Sequence, residues 1–454
     1  MTSRLLVVGG DAAGMSAAST AKRALGDEID VLVLERQPWT SYSACGIPYW
    51  IAGDVPTLDD LIARTPEKHR ENGIDVRTGA TATEIDLDAA TVTAWTESGT
   101  ETFAYDELLI ATGAEPVRPN VPGMDSQGIY GVQTLADGQR LLDALALRPS
   151  KAVIVGAGYI GVEMAEACVR RGIETVVVGK APTPMATLDL DLGELIADQM
   201  RADNIDLRVG VTVTGFEADL SGQVRAVVTD HGTISTDLVI LGAGVRARTE
   251  LAAGAGLKLG IDGALPVDPH GRVDADQRVW AAGDCVESVH RITGRPTYVP
   301  LGTHANKQGW VVGRNLAGDG VTFPGVLGTA MTKVMSLEIA RTGVGESEAR
   351  DAGFDAVSER IESTTTAGYM PDARAMTVKV VVDRATRRLL GAQIVGGEGA
   401  AMRIDSFALA LWNAMTVDEL MMTDLGYAPP FASVWDPVQQ AARAAVSALG
   451  APLR

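Results

Sequence analysis

Val153-Ile154-Val155-Gly156-Ala157-Gly158-Tyr159-Ile160-Gly161 is the stretch that decides the fold. A short apolar run of buried-strand type leads into a complete G-x-G-x-x-G, and a helical pattern follows. Gly156 makes the tight turn, Gly158 admits a pyrophosphate, and Gly161 lets helix and strand pack closely. The context is right on both sides, so the segment reads as a dinucleotide-binding βαβ unit. Its next strand, Glu174 to Val178, ends in Gly179-Lys180 rather than in an acid. A missing carboxylate and the added cation of Lys180 favour a 2′-phosphate, which points to NADPH, with NADH as the alternative.

A unit of the same kind lies upstream, over residues 4–36. Leu5-Leu6-Val7-Val8 is strand-like, Gly9-Gly10-Asp11-Ala12-Ala13-Gly14 is the turn, and Met15 to Leu25 is helical. Asp11 stands where the middle glycine usually sits. Ile29 to Leu34 is the second strand, and Glu35 ends it at the spacing from which a carboxylate reaches ribose hydroxyls. Two such units suggest two dinucleotides. Further on, Val279-Trp280-Ala281-Ala282 runs into Gly283-Asp284. Here a glycine lets backbone amides approach a cofactor, and the Asp284 carboxylate can accept from ribityl hydroxyls.

Just after the first unit comes Ser41-Tyr42-Ser43-Ala44-Cys45-Gly46-Ile47-Pro48-Tyr49. A lone thiol beside a dinucleotide site suggests redox chemistry at sulfur. Cys45 is expected at the start of a helix beginning around Gly46, where a helix N-terminus stabilises a thiolate. Cys168 and Cys285 lie in other motifs and read as structural.

The chain has 454 residues, enough for about three domains of ~150 residues each. A net charge of −19 disfavours nucleic acid and anionic membranes as partners. Three cysteines are too few and too far apart for a disulfide framework. No secretory segment precedes the first strand, and no apolar run reaches the ~18 residues that span a bilayer. The chain reads as cytoplasmic, with reduced thiols. From about residue 325 the pattern changes. Strand-like runs (Lys333 to Ala340, Met376 to Val382, Leu389 to Val395) alternate with helical stretches at Ala400 to Met415 and Pro437 to Leu449. This is an α+β domain without a phosphate loop, and it reads as an interface builder.

The ordered set GGDAAG with Glu35, SYSACGIPY, LLIATGAEP, VGAGYIGVEMAE, VWAAGDC, VPLGTHANKQG and YAPPFASVWDP resembles the flavoprotein pyridine nucleotide-disulfide oxidoreductases. More narrowly it resembles their single-cysteine branch: coenzyme A-disulfide reductases, NAD(P)H oxidases, NADH peroxidases and polysulfide or persulfide reductases. The resemblance spans essentially the whole chain. It implies an α/β fold with two Rossmann-like domains and a C-terminal α+β dimerisation domain. The expected bounds are 1–148 with 246–324 for FAD, 149–245 for NAD(P)H, and 325–454 for a homodimer interface. It implies FAD contacts at Gly9, Gly14, Glu35, Arg36, Thr112, Gly113, Gly283 and Asp284. It implies NAD(P)H contacts at Gly156, Gly158, Tyr159, Gly161, Glu163, Lys180 and Gly244, with Tyr159 gating the nicotinamide side.

The resemblance further implies hydride transfer from NAD(P)H through FAD to a disulfide held by Cys45. The second cysteine of dithiol relatives is missing here. The oxidised enzyme would therefore hold a Cys45 mixed disulfide or a sulfenic acid. Tyr427 is implied as an acid near the partner subunit's active site, and Tyr369 resembles a second tyrosine used by the coenzyme A-disulfide reductases. Ser16, Thr20, Arg23 and Ser41, with Lys22 adding charge, resemble in type a coenzyme A site. Oxidases and peroxidases place a histidine where this chain has Ala12, which argues for a disulfide reductase. Ala44 and Trp435 replace an asparagine and a lysine of coenzyme A-disulfide reductases. The acceptor therefore stays open between coenzyme A disulfide, another small disulfide, and a per- or polysulfide. An oxidase of the same branch, a reductase feeding an electron-carrier protein, and a redox-sensing flavoprotein are the other readings.

Overall fold

The computed structural model describes residues 2–274 and 278–450. The apolar strand runs of the two glycine motifs do what their composition dictates. Strands apolar on both faces belong inside parallel sheets covered by helices. In the first sheet the order is Arg272–Asp274, Val279–Ala281, Glu107–Ile110, Ser3–Val8, Ile29–Glu35, Asp75–Thr78. Ser3–Val8 pairs in parallel on both sides, with Ile29–Glu35 and with Glu107–Ile110. Only Arg272–Asp274 runs antiparallel to its neighbour.

The second sheet is parallel throughout: Asp206–Val209, Glu174–Gly179, Lys151–Val155, Leu238–Leu241, Ile129–Gly131. It takes its edge strand, Ile129–Gly131, from before residue 149, the start expected for that unit. The third sheet is antiparallel, ordered Ala330–Val334, Leu337–Gly343, Leu389–Gly396, Ala375–Asp383, Ala356–Thr364. Its core is closed by Ile404–Trp412 and Pro437–Leu449 around fully buried Phe407. The run Lys333 to Ala340, expected as one strand, is a tight hairpin, because Met335 turns the chain at φ 52°. The last expected residues, 451–454, lie outside the described residues.

The first dinucleotide helix spans Ala12–Leu25, three residues earlier than its apolar pattern predicts. It packs along Gly302–Leu316 through small residues. A Cβ on Gly309 would lie 2.3 Å from the Ala13 carbonyl oxygen, and one on Gly313 would lie 2.6 Å from Thr20 Cβ. This close crossing fixes the N-terminus of the first helix, and with it the glycine turn. Gly309→Ala therefore forces the helices apart at a cost of about 1–3 kcal/mol, typical of overpacking. The expected result is a lower thermal midpoint with weaker flavin retention, read by thermal unfolding and by FAD content after gel filtration.

Candidate functional site

The two glycine turns are built alike. Gly9 has φ 110° and Gly156 has φ 112°, a region that favours glycine. A Cβ on Gly9 would lie 2.1 Å from the Ala111 carbonyl oxygen, and one on Gly156 would lie 2.1 Å from that of Gly242. Gly14 and Gly161 press equally hard on Gly9 and Gly156, with a Cβ at 1.9 and 2.0 Å from their carbonyl oxygens. Gly158 and Gly244 are different, since a Cβ there would meet nothing within 4 Å. That open side is what a pyrophosphate approaching the backbone requires. Lys180 is exposed at the end of its strand.

Around the first turn the groups fit FAD. Glu35 accepts from Gly10 N and from Gln37 N, each at 2.7 Å, which holds its carboxylate at the strand end. Burial pushes the Glu35 carboxyl above its usual range. Gly283 has φ 88° and donates its N–H to Gln308 Oε1 at 2.9 Å. A Cβ there would sit 2.8 Å from Ala13 Cβ, so Gly283-Asp284 abuts the first helix. Asp284 is lifted to about 6 by burial alone, with no hydrogen bond from the protein to offset it. A half-buried carboxylate without donors among the described residues suits ligand hydroxyls. Thr112 donates to the Arg248 carbonyl at 2.6 Å, and Gly113, φ 71°, accepts from Arg248 N at 2.9 Å. Arg36 opens onto a cleft of ≈ 440 Å³ that it shares with Arg118, Arg140, Arg246 and Arg248. Glu115 and Asp137 line the same cleft and pair with Arg246, Arg248 and Arg140, so the cations outnumber the acids there, which suits phosphates.

Cys45 is exposed, in a single helical turn, Ala44–Gly46, that leads into the short helix Ile47–Ala52. Cys168 and Cys285 are buried, and burial raises the first thiol to about 12. The sequence predicts a thiolate at Cys45, stabilised by a helix N-terminus. The protein groups act the other way. Partial burial, then the carboxylates of Glu163, Asp284 and Asp11, hold the Cys45 thiol above its ordinary value. A helix of six residues offers little dipole against three acids. Asp11, which fills the middle-glycine position, has its own use. Its Oδ1 accepts from Tyr42 N at 3.1 Å and ties the glycine turn to the cysteine segment. Burial, with Glu35 and Asp284 nearby, raises Asp11 to about 7.

Tyr159 begins the helix Tyr159–Arg170 and lies near Thr187. One turn on, Glu163 accepts from Thr332 Oγ1 at 2.7 Å, and burial raises it to about 7. Glu166 pairs with Lys333 and accepts from Met335 N at 2.8 Å. The C-terminal domain thus grips the second dinucleotide helix, a contact the sequence reading missed. No contiguous motif signals it.

The expected substrate residues are split. Ser16 donates to the Asn306 carbonyl at 2.9 Å, and Thr20 is buried against Gly313. Lys22 donates to the Ile29 carbonyl at 3.1 Å, and Arg23 reaches Thr20 Oγ1 at 3.4 Å. Ser41 stands apart from them, beside Gly10, whose carbonyl accepts from Ser41 N at 3.2 Å. Tyr369 and Tyr427 are neighbours, with their loops joined by Ala367 N donating to the Pro429 carbonyl at 3.0 Å. Both rings are exposed, at 76% and 48%.

Glu163 is the largest charge opposing thiolate formation at Cys45. Glu163→Gln is expected to lower the Cys45 pKa and to speed its alkylation by iodoacetamide severalfold at pH 8. Below about pH 7 Glu163 is itself protonated, so the difference between variant and wild type should vanish there. An alkylation–pH profile of both proteins checks this, with the buried Cys168 and Cys285 protected.

Comparison with known proteins agrees with this geometry. Residues 3–309 match the family described as pyridine nucleotide-disulphide oxidoreductase, and residues 329–438 match its dimerisation domain. The chain is similar to the NAD(P)H sulfur oxidoreductase (CoA-dependent) of Pyrococcus abyssi, at 39% identity, covering 97% of each chain. It is similar to the NADH oxidase of Methanocaldococcus jannaschii, at 34% identity over 98% of this chain and 99% of that one. Among solved structures, the reduced Bacillus anthracis CoADR-RHD superposes with a TM-score of 0.94 at 30% identity, covering 99% of this chain and 81% of the other. The chain belongs to the FAD-dependent pyridine nucleotide-disulfide oxidoreductases, and it is an NAD(P)H-oxidising flavoenzyme of that family.

Proposed function

We propose that this enzyme reduces a low-molecular-weight disulfide, with coenzyme A disulfide the leading substrate, through a mixed disulfide at Cys45. One observation carries the reading: Cys45 is the exposed thiol and the other two cysteines are buried. An isolated thiol has no protein partner for a disulfide, so its partner must come from solution. The balance is NAD(P)H + H⁺ + RSSR → NAD(P)⁺ + 2 RSH. Cys45 thiolate attacks RSSR, forming Cys45–S–S–R and releasing RS⁻, which takes up a proton. Two electrons then cleave the mixed disulfide to Cys45 thiolate and a second RSH. Bound FAD supplies the two-electron relay between nicotinamide and sulfur.

The surrounding carboxyls bear on the first step. They favour the protonated form of the resting sulfur, so its conversion to thiolate calls for the charge of a bound ligand or cofactor. Gly9, Gly14, Glu35, Arg36, Thr112, Gly113, Gly283 and Asp284 would hold FAD. Gly156, Gly158, Tyr159, Gly161, Glu163, Lys180 and Gly244 would hold NADPH. The similarity to a CoA-dependent sulfur oxidoreductase supports a coenzyme A-linked acceptor. The exposed apolar side chains Leu409, Met422, Phe431 and Val434 on the C-terminal domain support a homodimer. In it, Tyr427, paired with Tyr369, would protonate a leaving thiolate in the partner's site. Among the described residues no helix is long and apolar enough to cross a membrane, and the three free cysteines support a reducing, cytoplasmic setting. The similarity to an NADH oxidase supports oxygen as the alternative acceptor.

Anaerobic NADPH oxidation with coenzyme A disulfide is the test. Wild type should turn over, and Cys45→Ser should lose at least about a hundredfold in disulfide-dependent rate. Turnover only on admitting oxygen would move the function to the oxidases. Lys180→Ala is expected to raise KM for NADPH about tenfold and leave KM for NADH within about twofold. A higher kcat/KM for NADH in the wild type would reject the NADPH preference. Tyr427→Phe should lower kcat for the disulfide about tenfold while flavin reduction by NADPH proceeds at the wild-type rate.

A further inference from the structure

Four residues before Cys45, Ser41 holds a backbone conformation that serine rarely takes, with φ 48°. Both of its backbone groups are committed. Ser41 N donates to the Gly10 carbonyl at 3.2 Å, and the Ser41 carbonyl accepts from Ala63 N at 2.9 Å. The next residue is pinned as well, by Tyr42 N on Asp11 Oδ1 at 3.1 Å. What this leaves free is the hydroxyl, and it has one protein partner, His69 Nε2 at 3.0 Å.

His69 is the unusual part. It lies on the helix Pro66–Glu71 with 1% of its surface exposed, and its Nδ1 has no partner among the described residues. Burial and the nearby Arg64 guanidinium push its pKa down to about 4, so the ring is neutral at physiological pH. Neutral imidazole carries one N–H, and the orphaned Nδ1 decides where. A buried N–H without an acceptor is rare in folded proteins, whereas an unfilled lone pair is tolerated more often. The proton therefore belongs on Nε2, and Ser41 Oγ accepts it. A serine that accepts from histidine must turn its own hydrogen elsewhere.

We propose that His69 is a positioning residue for substrate binding: it donates from Nε2 to Ser41 Oγ and so aims the Ser41 hydroxyl as a hydrogen-bond donor at a carbonyl or phosphate oxygen of the disulfide substrate. The inference rests on the disulfide-reductase reading, because it needs a small ligand beside Cys45. The strained backbone at Ser41 then has a use, which is to hold one donor in one direction before the ligand arrives.

The test is steady-state kinetics on the FAD-loaded enzyme, with coenzyme A disulfide, for His69→Phe, His69→Gln, Ser41→Ala and the double variant Ser41→Ala/His69→Phe. His69→Phe should raise KM for the disulfide about three- to tenfold, the value of one neutral hydrogen bond, with kcat within about twofold. His69→Gln keeps a side-chain N–H and should restore most of the loss. In the Ser41→Ala background, His69→Phe should add nothing further. Cystamine, a disulfide without an oxygen acceptor, should show no effect of His69→Phe. Additive losses in the double variant, an unchanged KM in His69→Phe, or FAD loss in place of a KM change would each overturn the proposal. A wild type that turns over no disulfide would sink the function reading instead, and is distinguished by being independent of residue 69. A second readout needs no substrate. Nitrogen-15 spectra of the histidine-labelled holoenzyme, assigned by difference against His69→Gln, should show His69 protonated at Nε2 near neutral pH. The opposite tautomer would overturn the proposal whatever the kinetics show.

Discussion

The structure depends on a backbone contact that leaves no room for a side chain. At each dinucleotide turn the first glycine lies against the carbonyl of the neighbouring strand end: Gly9 on Ala111, Gly156 on Gly242. The contact lets a helix begin directly above its sheet, and it occurs twice because the motif does. Once the two helices are seated, the remaining parts have little freedom. The Gly283-Asp284 turn must abut Ala13, and the cysteine segment must run past Gly10 and Asp11. The redox centre is thus a by-product of glycine packing, not of a dedicated scaffold around the thiol.

Charge is sorted on top of that frame. Asp11, Asp284 and Glu163 gather where the cysteine lies, all raised by burial. The arginines gather instead in the cleft beyond Arg36, where Arg246 and Arg248 are held by Glu115. Buried acids next to a thiol favour its neutral form. Fixed cations with backbone amides favour phosphates. The two environments differ in kind: the arginine side suits anionic groups, and the acidic side raises the pKa of the sulfur.

This division explains what the sequence could and could not reveal. The glycine turns, the strand-end place of Glu35 and the close approach at Gly283 are legible because each sits within a few contiguous residues at a fixed offset from a strand. Asp11 reads as a flaw in the motif, since its partner Tyr42 N is thirty-one residues away. The same holds for Thr332 on Glu163 and for His69 on Ser41, where neither residue carries a pattern by itself. The protein surroundings of Cys45 run against the helix-end expectation for a related reason. A local rule about helix ends was legible, whereas three carboxylates arriving from Asp11, Glu163 and Asp284 were not. The edge strand Ile129–Gly131 is three residues long, too short for periodicity to show.

The C-terminal domain is more than a surface for association. Its first hairpin sends Thr332 to Glu163 and Lys333 to Glu166, so it braces the second dinucleotide helix within one chain. A second anchor lies across the third sheet. Lys379, with 8% of its side chain exposed, is ringed by Asp189 at 3.0 Å, Asp191 at 2.8 Å and Glu346 at 3.3 Å. Asp189 and Asp191 lead the helix Leu190–Ala202 of the nucleotide domain, so the ammonium ties that domain to the sheet. A buried cation with three carboxylates costs much to break, because removing one partner leaves the others unpaired. If Tyr427 is to act across a dimer, its distance from the opposite cysteine has to be set by rigid bodies. Two charged anchors between the nucleotide domain and the tyrosine-bearing domain meet that requirement. An apolar seam alone permits sliding, whereas directional ion pairs fix one register.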